Sequence, residues 1–200
     1  PMPYEMLRRM EALSDPERLA HATPPKMHAR AAVLGAGLLA RLLLLRCGYE
    51  DQTLSHDGNG KPFFQNIPVF VSLSHSGAFA AAALSKRPIG IDVQESTSVS
   101  PRVIQRVCNH GEQQRLMRSS NPKREFLVLW ALKEAYFKAA GGTHSLSVMH
   151  DAEFFLPQDL FGRAYGPDGW CFSSFALTGN GVAALCEANE SVPEKGHPTT

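Results

Sequence analysis

A carboxylate and an amide are spaced to share one side of a strand in the segment Gly-Ile-Asp-Val-Gln at residues 90–94. Because alternate side chains of a strand project to the same face, we expect Ile91 and Val93 to point into the core and Asp92 and Gln94 to project together from the other side. Two neighbouring oxygen ligands of this kind suit a hard divalent cation. Taken alone, the pattern is more typical of a solvated strand end.

A second group with chemical potential lies in the segment Trp-Ala-Leu-Lys-Glu-Ala-Tyr-Phe-Lys at residues 130–138. Residues four apart stack on one helix face, so Trp130, Glu134 and Lys138 form a single stripe, from which Lys133 points away. The stripe would direct a second carboxylate and a cation toward Asp92. A surface Glu–Lys pair beside a core tryptophan has the same pattern, so only the combination of the two segments indicates chemistry.

The composition is that of an ordinary globular protein: 200 residues, 44% hydrophobic, 20% charged, with a formal net charge of +1. Such a balance provides no general field for nucleic acid or an anionic membrane, so any phosphate must be bound locally. The four cysteines are far apart and form no C-x-x-C pair, which argues against a zinc ribbon and a dense disulfide framework. With no secretory signal visible, we expect free thiols and a cytoplasmic protein.

Helix and strand patterns alternate along the chain, which predicts the α+β class. We predict helices at 4–9, 27–47, 102–117 and 123–140, and strands at 69–73, 78–84, 89–94, 152–156, 170–177 and 182–187. The polar stretch 96–101 is the best boundary, giving domains 1–96 and 97–200. Each half has a long helix ending in glycine followed by two apolar strands, which predicts two similar halves in a pseudo-twofold arrangement with the active site in the cleft between them.

Four motifs in order resemble the signature of phosphopantetheinyl transferases of the surfactin-synthetase-activating type. They are Gly-Lys-Pro at 60–62, Ser-His-Ser-Gly at 74–77, Pro-Ile-Gly-Ile-Asp-Val at 88–93, and Trp-Ala-Leu-Lys-Glu-Ala-Tyr-Phe-Lys-Ala-Ala-Gly at 130–141. The resemblance implies transfer of 4′-phosphopantetheine from coenzyme A to a serine of an acyl or peptidyl carrier protein, with Mg²⁺ as the cofactor. It also implies roles for the first group of residues: Asp92 and Glu134 as metal ligands, Lys138 on the pyrophosphate, and Glu134 as acceptor of the serine proton.

The same resemblance implies contacts to coenzyme A. His75 and the hydroxyl of Ser74 would bind the 3′-phosphate of the nucleotide, joined by Lys61. Further phosphate contacts are implied, more loosely, for three basic residues: Lys26, Arg30 and Arg41. Arg41 could equally extend from a buried helix toward water without binding phosphate. A serine-hydrolase interpretation of residues 74–76 fails, because adjacent strand residues face opposite ways and no G-x-S-x-G motif is present.

The chain departs from the family pattern at one position, where Gln94 stands in place of the usual glutamate. An amide oxygen can still ligate magnesium, directly or through water, but the site loses one negative charge. We therefore expect weaker metal binding than in relatives with three acids.

The expected partner is a small acidic carrier domain, and the arginine-rich segment 102–117 is a candidate docking surface unless it is simply a solvated helix face. Glu112 in that segment stands where the family often has an acidic residue. We expect a monomer without nucleic-acid or membrane partners. Alternative functions are a catalytically weak coenzyme A-binding relative, a metal-dependent nucleotide pyrophosphate hydrolase and a carrier-binding module.

Overall fold

A computed structural model describes residues 4–21, 27–95, 99–141 and 146–190. They form two compact units that divide between Arg87 and Pro88. Groups of helices and groups of antiparallel strands follow one another along the chain, which confirms the α+β class. The pseudo-twofold arrangement of two halves and the cleft between them stay predictions. Within the described ranges, no helix has the length and apolar character needed to cross a membrane.

The first unit has three helices followed by four strands within the described residues. The helices are α1 (Tyr4–Leu13), α2 (Pro16–His21) and α3 (Met27–Arg46), and the strands are β1 (Leu54–His56), β2 (Pro62–Phe64), β3 (Phe70–Ser76) and β4 (Phe79–Ser85). The strands pair as two antiparallel hairpins, β1 with β2 and β3 with β4. Helix α3 packs on the second hairpin.

Helix α3 is buried on more than one face, as its alanines and leucines predicted; Leu34 and Leu44 are fully buried. It ends in a Schellman motif, in which Tyr49 N donates to Leu44 O and Gly48 N to Leu45 O. Gly48 has a φ of 86°, a left-handed conformation that glycine adopts without steric cost. The predicted helix and its glycine stop are therefore confirmed.

The second unit places four helices around one antiparallel sheet in the described residues. The strands are β5 (Ile89–Gln94), β6 (Gly162–Ala164), β7 (Trp170–Ala176) and β8 (Val182–Ala188), and the helices are α4 (Pro101–Val107), α5 (His110–Arg118), α6 (Pro122–Ala140) and α7 (Leu146–Asp151). The strand order is β5-β8-β7-β6. Helix α6 packs on β5 and β8. Because its neighbours lie later in the chain, β5 belongs to this unit, although the polar stretch suggested a boundary after it.

Two predicted elements differ from the structure by more than the position of their ends. The helix predicted over 102–117 is divided into α4 and α5, because Asn109 caps α5: its side chain accepts from Glu112 N, and Glu112 in turn accepts from Asn109 N. The strand predicted over 152–156 is reduced to an isolated bridge between Phe155 and Tyr165. The strands predicted at 170–177 and 182–187 correspond to β7 and β8, and their ends are confirmed to within one residue.

Candidate active site

Strand β5 and helix α6 meet at a point where only glycine fits. A Cβ atom at residue 90 would lie 1.9 Å from the carbonyl oxygen of Ala135 and 2.7 Å from the amide nitrogen of Ala139. Both obstacles are backbone atoms and cannot rotate away. Gly90 therefore allows a backbone-to-backbone approach that brings the side chains of the two elements close together.

The Asp92 carboxylate lies at this junction and has a donor on each oxygen. Lys138 Nζ donates to Asp92 Oδ1 at 2.7 Å, and Gln94 Nε2 donates to Asp92 Oδ2 at 2.7 Å. Lys138 Nζ also donates to the carbonyl oxygen of Ile91 at 3.1 Å. The lysine of the helix stripe thus reaches the carboxylate of the strand, which was the combination that the sequence suggested.

Asp92 and Gln94 share a face of β5 as predicted, but that face is turned toward the core. Across the sheet, Gly90 pairs with Cys186 and Asp92 with Ala184, and both partners are fully buried in the core of the second unit. Asp92 itself is 3% exposed. Val93 on the opposite face is buried as well, at 3% exposed, as the sequence predicted, and α6 packs over Gly90 on the face that carries Asp92. Lys138 and Gln94 make the buried carboxylate tolerable by donating to it.

Glu134 lies one helical turn before Lys138 on the same side of α6. The stripe of Trp130, Glu134 and Lys138 is half-buried, whereas the intervening residues 131–133 are buried. Trp130 packs against Phe126 with ring centroids 5.9 Å apart. The i, i+4 pattern therefore produces the half-exposed stripe that the sequence predicted.

The donor set at this junction fits magnesium that shares its coordination sphere with other ligands. Asp92 and Gln94 come from β5 and Glu134 comes from α6, which supplies hard oxygen atoms of the kind that Mg²⁺ takes. No group of three or more His, Cys, Asp or Glu side chains suited to holding a metal is found in the described parts of the chain. The assignment of Asp92, Glu134 and Gln94 as ligands of one ion stays a prediction.

The predicted coenzyme A contacts lie on the first unit. Ser74 is buried and His75 is exposed on β3, so the two side chains face opposite ways as expected. Lys61 Nζ lies 5.8 Å from the centroid of the Phe70 ring, at the beginning of β3. Ser74 and His75 are near the other end of that strand, so a phosphate shared by all three residues stays a prediction.

The two predicted arginines of α3 are engaged in ion pairs. Arg30 Nε donates to Glu11 Oε1 at 2.7 Å. Arg41 pairs with Asp51 and also donates to the carbonyl oxygen of Leu13 at 2.6 Å. The hydrogen bond that Arg41 donates to Asp51 raises the pKa of Arg41, against the effect of burial, and the same bond lowers the pKa of Asp51. These contacts favour a structural role, and the phosphate roles stay predictions. Lys26 lies outside the described residues.

Sequence reasoning missed a buried ion pair between Lys133 and Glu112. Lys133 Nζ lies 2.9 Å from Glu112 Oε2, and both side chains have no exposed surface. Burial lowers the pKa of Lys133, although Glu112 acts in the opposite direction. The capping-box spacing of Asn109 and Glu112 was a usable signal for one half of this pair; nothing in the spacing linked Glu112 to Lys133.

Comparison with known proteins places the second unit in a family. The model of the 4′-phosphopantetheinyl transferase superfamily matches residues 88–186, a range that includes Asp92, Gln94, Glu134 and Lys138. The motifs at 60–62 and 74–77 lie outside this match.

Relatives with the same designation match part of the chain. The 4′-phosphopantetheinyl transferase psf-1 of Bacillus pumilus is 32% identical over 118 residues, 56% of this chain and 51% of that protein. The 4′-phosphopantetheinyl transferase Sfp of Bacillus subtilis is 30% identical over 100 residues, 48% of this chain and 45% of that protein. The chain spans about half the length of these curated relatives.

Among solved structures, the holo-[acyl-carrier-protein] synthase of Thermotoga maritima matches 50% of this chain and 62% of that chain, with a TM-score of 0.40 and 24% identity. The family match over the second unit, together with relatives of the surfactin-synthetase-activating type, shows that this chain belongs to the 4′-phosphopantetheinyl transferase superfamily.

Proposed function

We propose that this chain transfers the 4′-phosphopantetheine group of coenzyme A to a serine of an acyl or peptidyl carrier protein in a magnesium-dependent reaction. The observation that carries the proposal is the close approach of β5 and α6 at Gly90. There Lys138 donates to Asp92, and Glu134 lies one helical turn before Lys138. The names of the relatives support the same reaction. The released product would be adenosine 3′,5′-bisphosphate.

The chemistry requires placement of charge more than covalent catalysis. The serine oxygen forms a bond to the phosphorus nearest the pantetheine, the bond from that phosphorus to the leaving phosphate oxygen breaks, and the serine proton goes to the Glu134 carboxylate. Lys138 places its ammonium group beside the diphosphate, where it offsets the charge that develops on the leaving oxygen. Its bond to the Ile91 carbonyl, 3.1 Å long, holds the ammonium against the middle of β5.

Magnesium would be held by Asp92 and Glu134, with Gln94 contributing its amide oxygen or a bound water. When present, the ion supplies charge neutralisation on the diphosphate oxygens. In the structure the Gln94 amide donates to Asp92, so its carbonyl oxygen points away from that carboxylate. Lys61, Ser74, His75, Arg30 and Arg41 complete the proposal as contacts to coenzyme A.

The proposed carrier-protein surface is formed by α4 and α5. Arg102, Arg106 and Arg118 are exposed there, and Met117 is 84% exposed. Arg115 is excluded from it, because it binds Glu153 and the carbonyl oxygen of Phe154. Exposed arginines suit an acidic carrier domain. Reversing charge at Arg102 and Arg106 should raise the KM for the carrier about 10-fold without changing that for coenzyme A, with Arg8→Glu on α1 as the control; equal effects of both changes would exclude the surface.

We also propose that the protein is a monomer in a reducing cytoplasm and that it has no nucleic-acid or membrane partners. Asp92, Glu134 and Lys138 come from a single chain. The four cysteines are free thiols, which suits such a compartment.

Mass spectrometry after incubation with coenzyme A, Mg²⁺ and an apo carrier protein tests the function. We expect the carrier to gain the mass of phosphopantetheine, and we expect Asp92→Asn and Glu134→Gln to lower the rate about 100-fold or more while circular dichroism stays unchanged. Consumption of coenzyme A without a carrier would indicate a pyrophosphate hydrolase instead. Binding of the carrier or of coenzyme A with no transfer would indicate a binding module or a catalytically weak relative.

A further inference from the structure

The ammonium group of Lys133 is surrounded by acceptors inside the second unit. It lies 2.9 Å from Glu112 Oε2 and donates to the carbonyl oxygens of Met149, at 2.7 Å, and Ala152. These three acceptors match the three N–H donors of a charged lysine. The ring of Phe154 lies 5.5 Å from the nitrogen, so one side chain of α6 is bound to three other segments of the unit.

Glu112 is bound equally completely. Its Oε1 accepts from the backbone N–H of Phe154 at 3.0 Å, and its Oε2 accepts from the backbone N–H of Asn109 at 3.0 Å. The pair therefore joins the first turn of α5, the middle of α6 and the segment that follows α7. Each of these contacts has a defined direction, unlike the apolar contacts around it.

A fully buried ion pair is a poor means of gaining stability, because desolvation of the two charges offsets much of their attraction. Apolar side chains of similar volume would fill the same space. The pair contributes bonds of defined direction: α6 cannot rotate about its axis or slide along it without breaking the hydrogen bonds that Lys133 donates. The pair therefore restricts α6 to one orientation.

The other side of α6 carries the candidate active site. Ala135 and Ala139 contact Gly90, and Lys138 reaches Asp92, while Glu134 directly follows Lys133 in the chain. Helix α6 is thus held by directional bonds at Lys133 and by backbone contact at Gly90. Displacement at either place would move Glu134 and Lys138 relative to Asp92.

We propose that Lys133, anchored by Glu112, is a positioning residue that holds Glu134 and Lys138 in place against Asp92. The inference rests on the proposed transferase function for its kinetic consequence. It assigns to Lys133 no contact with substrate; the residue acts through the orientation of α6. A displacement of about 1 Å at a reacting group can lower a rate about 100-fold.

The double variant Lys133→Met/Glu112→Gln tests the proposal, because it removes both charges and leaves no unpaired buried ion. Met cannot donate to the carbonyl oxygens of Met149 and Ala152, so the anchor is lost while the volume is nearly kept. We expect kcat for phosphopantetheine transfer to fall about 10-fold to 100-fold. In that background, Lys138→Met should cost much less in kcat/KM than it does in the natural chain, since the two sites are coupled.

Phe172→Leu is the matched control. Phe172 belongs to the same core and contacts the Phe154 ring edge-on at 4.9 Å, but it makes none of the directional bonds of Lys133. At a temperature where all variants are folded, we expect Phe172→Leu to keep its kcat within about twofold, because lost stability alone does not displace α6. An unchanged kcat in the double variant, or effects of Lys133 and Lys138 that simply add, would overturn the proposal.

A second measurement separates this inference from the transferase function. If the natural chain transfers no phosphopantetheine, the proposed function fails, and amide hydrogen exchange of β5 then tests the positioning. We expect exchange at residues 89–94 of the double variant to accelerate about 10-fold relative to β7, because β5 loses a fixed helix to pack against. Equal acceleration of β5 and β7 would show only general destabilisation and would contradict a positioning role.

Discussion

Two Lys–carboxylate pairs on helix α6 use the same chemical groups in opposite surroundings. In the pair of Lys138 and Asp92, the lysine side chain is 27% exposed and the carboxylate is 4% exposed. In the pair of Lys133 and Glu112, neither side chain is exposed at all. A lysine that reaches water can divide its charge between Asp92 and an incoming diphosphate. A lysine whose three donors are all bound within the core can have only a structural role.

The strongest contrast between the pairs concerns stability. We expect Lys133→Met to lower the free energy of unfolding by about 3–5 kcal/mol, because it leaves the Glu112 charge buried without its partner. Lys138→Met should cost only about 1.5 kcal/mol, because Asp92 keeps the donor from Gln94. Urea unfolding of both variants measures the difference. Similar losses would mean that the two pairs are equally structural.

The packing around the pair of Lys138 and Asp92 is tested at Gly90. We expect Gly90→Ala to destabilise the second unit by about 1–3 kcal/mol, because the new methyl group collides with the backbone of α6. The same displacement should lower the transfer rate about 100-fold, which is more than the loss of stability explains. Gly58→Ala in the first unit is a suitable control, because a Cβ there has no atom within 4 Å. Full activity of Gly90→Ala would contradict the importance of the close approach.

A smaller effect is expected from a change at Gln94, the neutral side chain that donates to Asp92. Gln94→Glu adds a third carboxylate and should tighten metal binding about 10-fold, which corresponds to about 1.4 kcal/mol. Titration of the protein with Mn²⁺, followed by electron paramagnetic resonance without coenzyme A, measures this directly. The magnesium concentration needed for half-maximal transfer should fall in parallel. Gln65→Glu, at an exposed position, controls for net charge, and equal affinities of the natural chain and Gln94→Glu would exclude the idea.

Much of the secondary structure and half of the candidate site could be predicted from the residues. The strand 89–94 was predicted with its observed limits, since Pro88 precedes it and its apolar residues alternate. The stripe of Glu134 and Lys138 followed from helical spacing. The division of 102–117 into two helices was missed, although Asn109 and Glu112 carry the pattern of a capping box.

Local spacing by itself determined which side chains share a face: Asp92 with Gln94 on β5, and Glu134 with Lys138 on α6. Periods of two and 3.6 residues are properties of the backbone and need no knowledge of the rest of the fold. Only the tertiary structure decided that the Asp92 face is covered as well as the Val93 face. It also decided that Lys133 pairs with Glu112, and that Arg41 pairs with Asp51. These pairings depend on which elements pack together and on the distance between them. The absence of a side chain at Gly90 has an effect only because β5 packs against α6 in the folded protein.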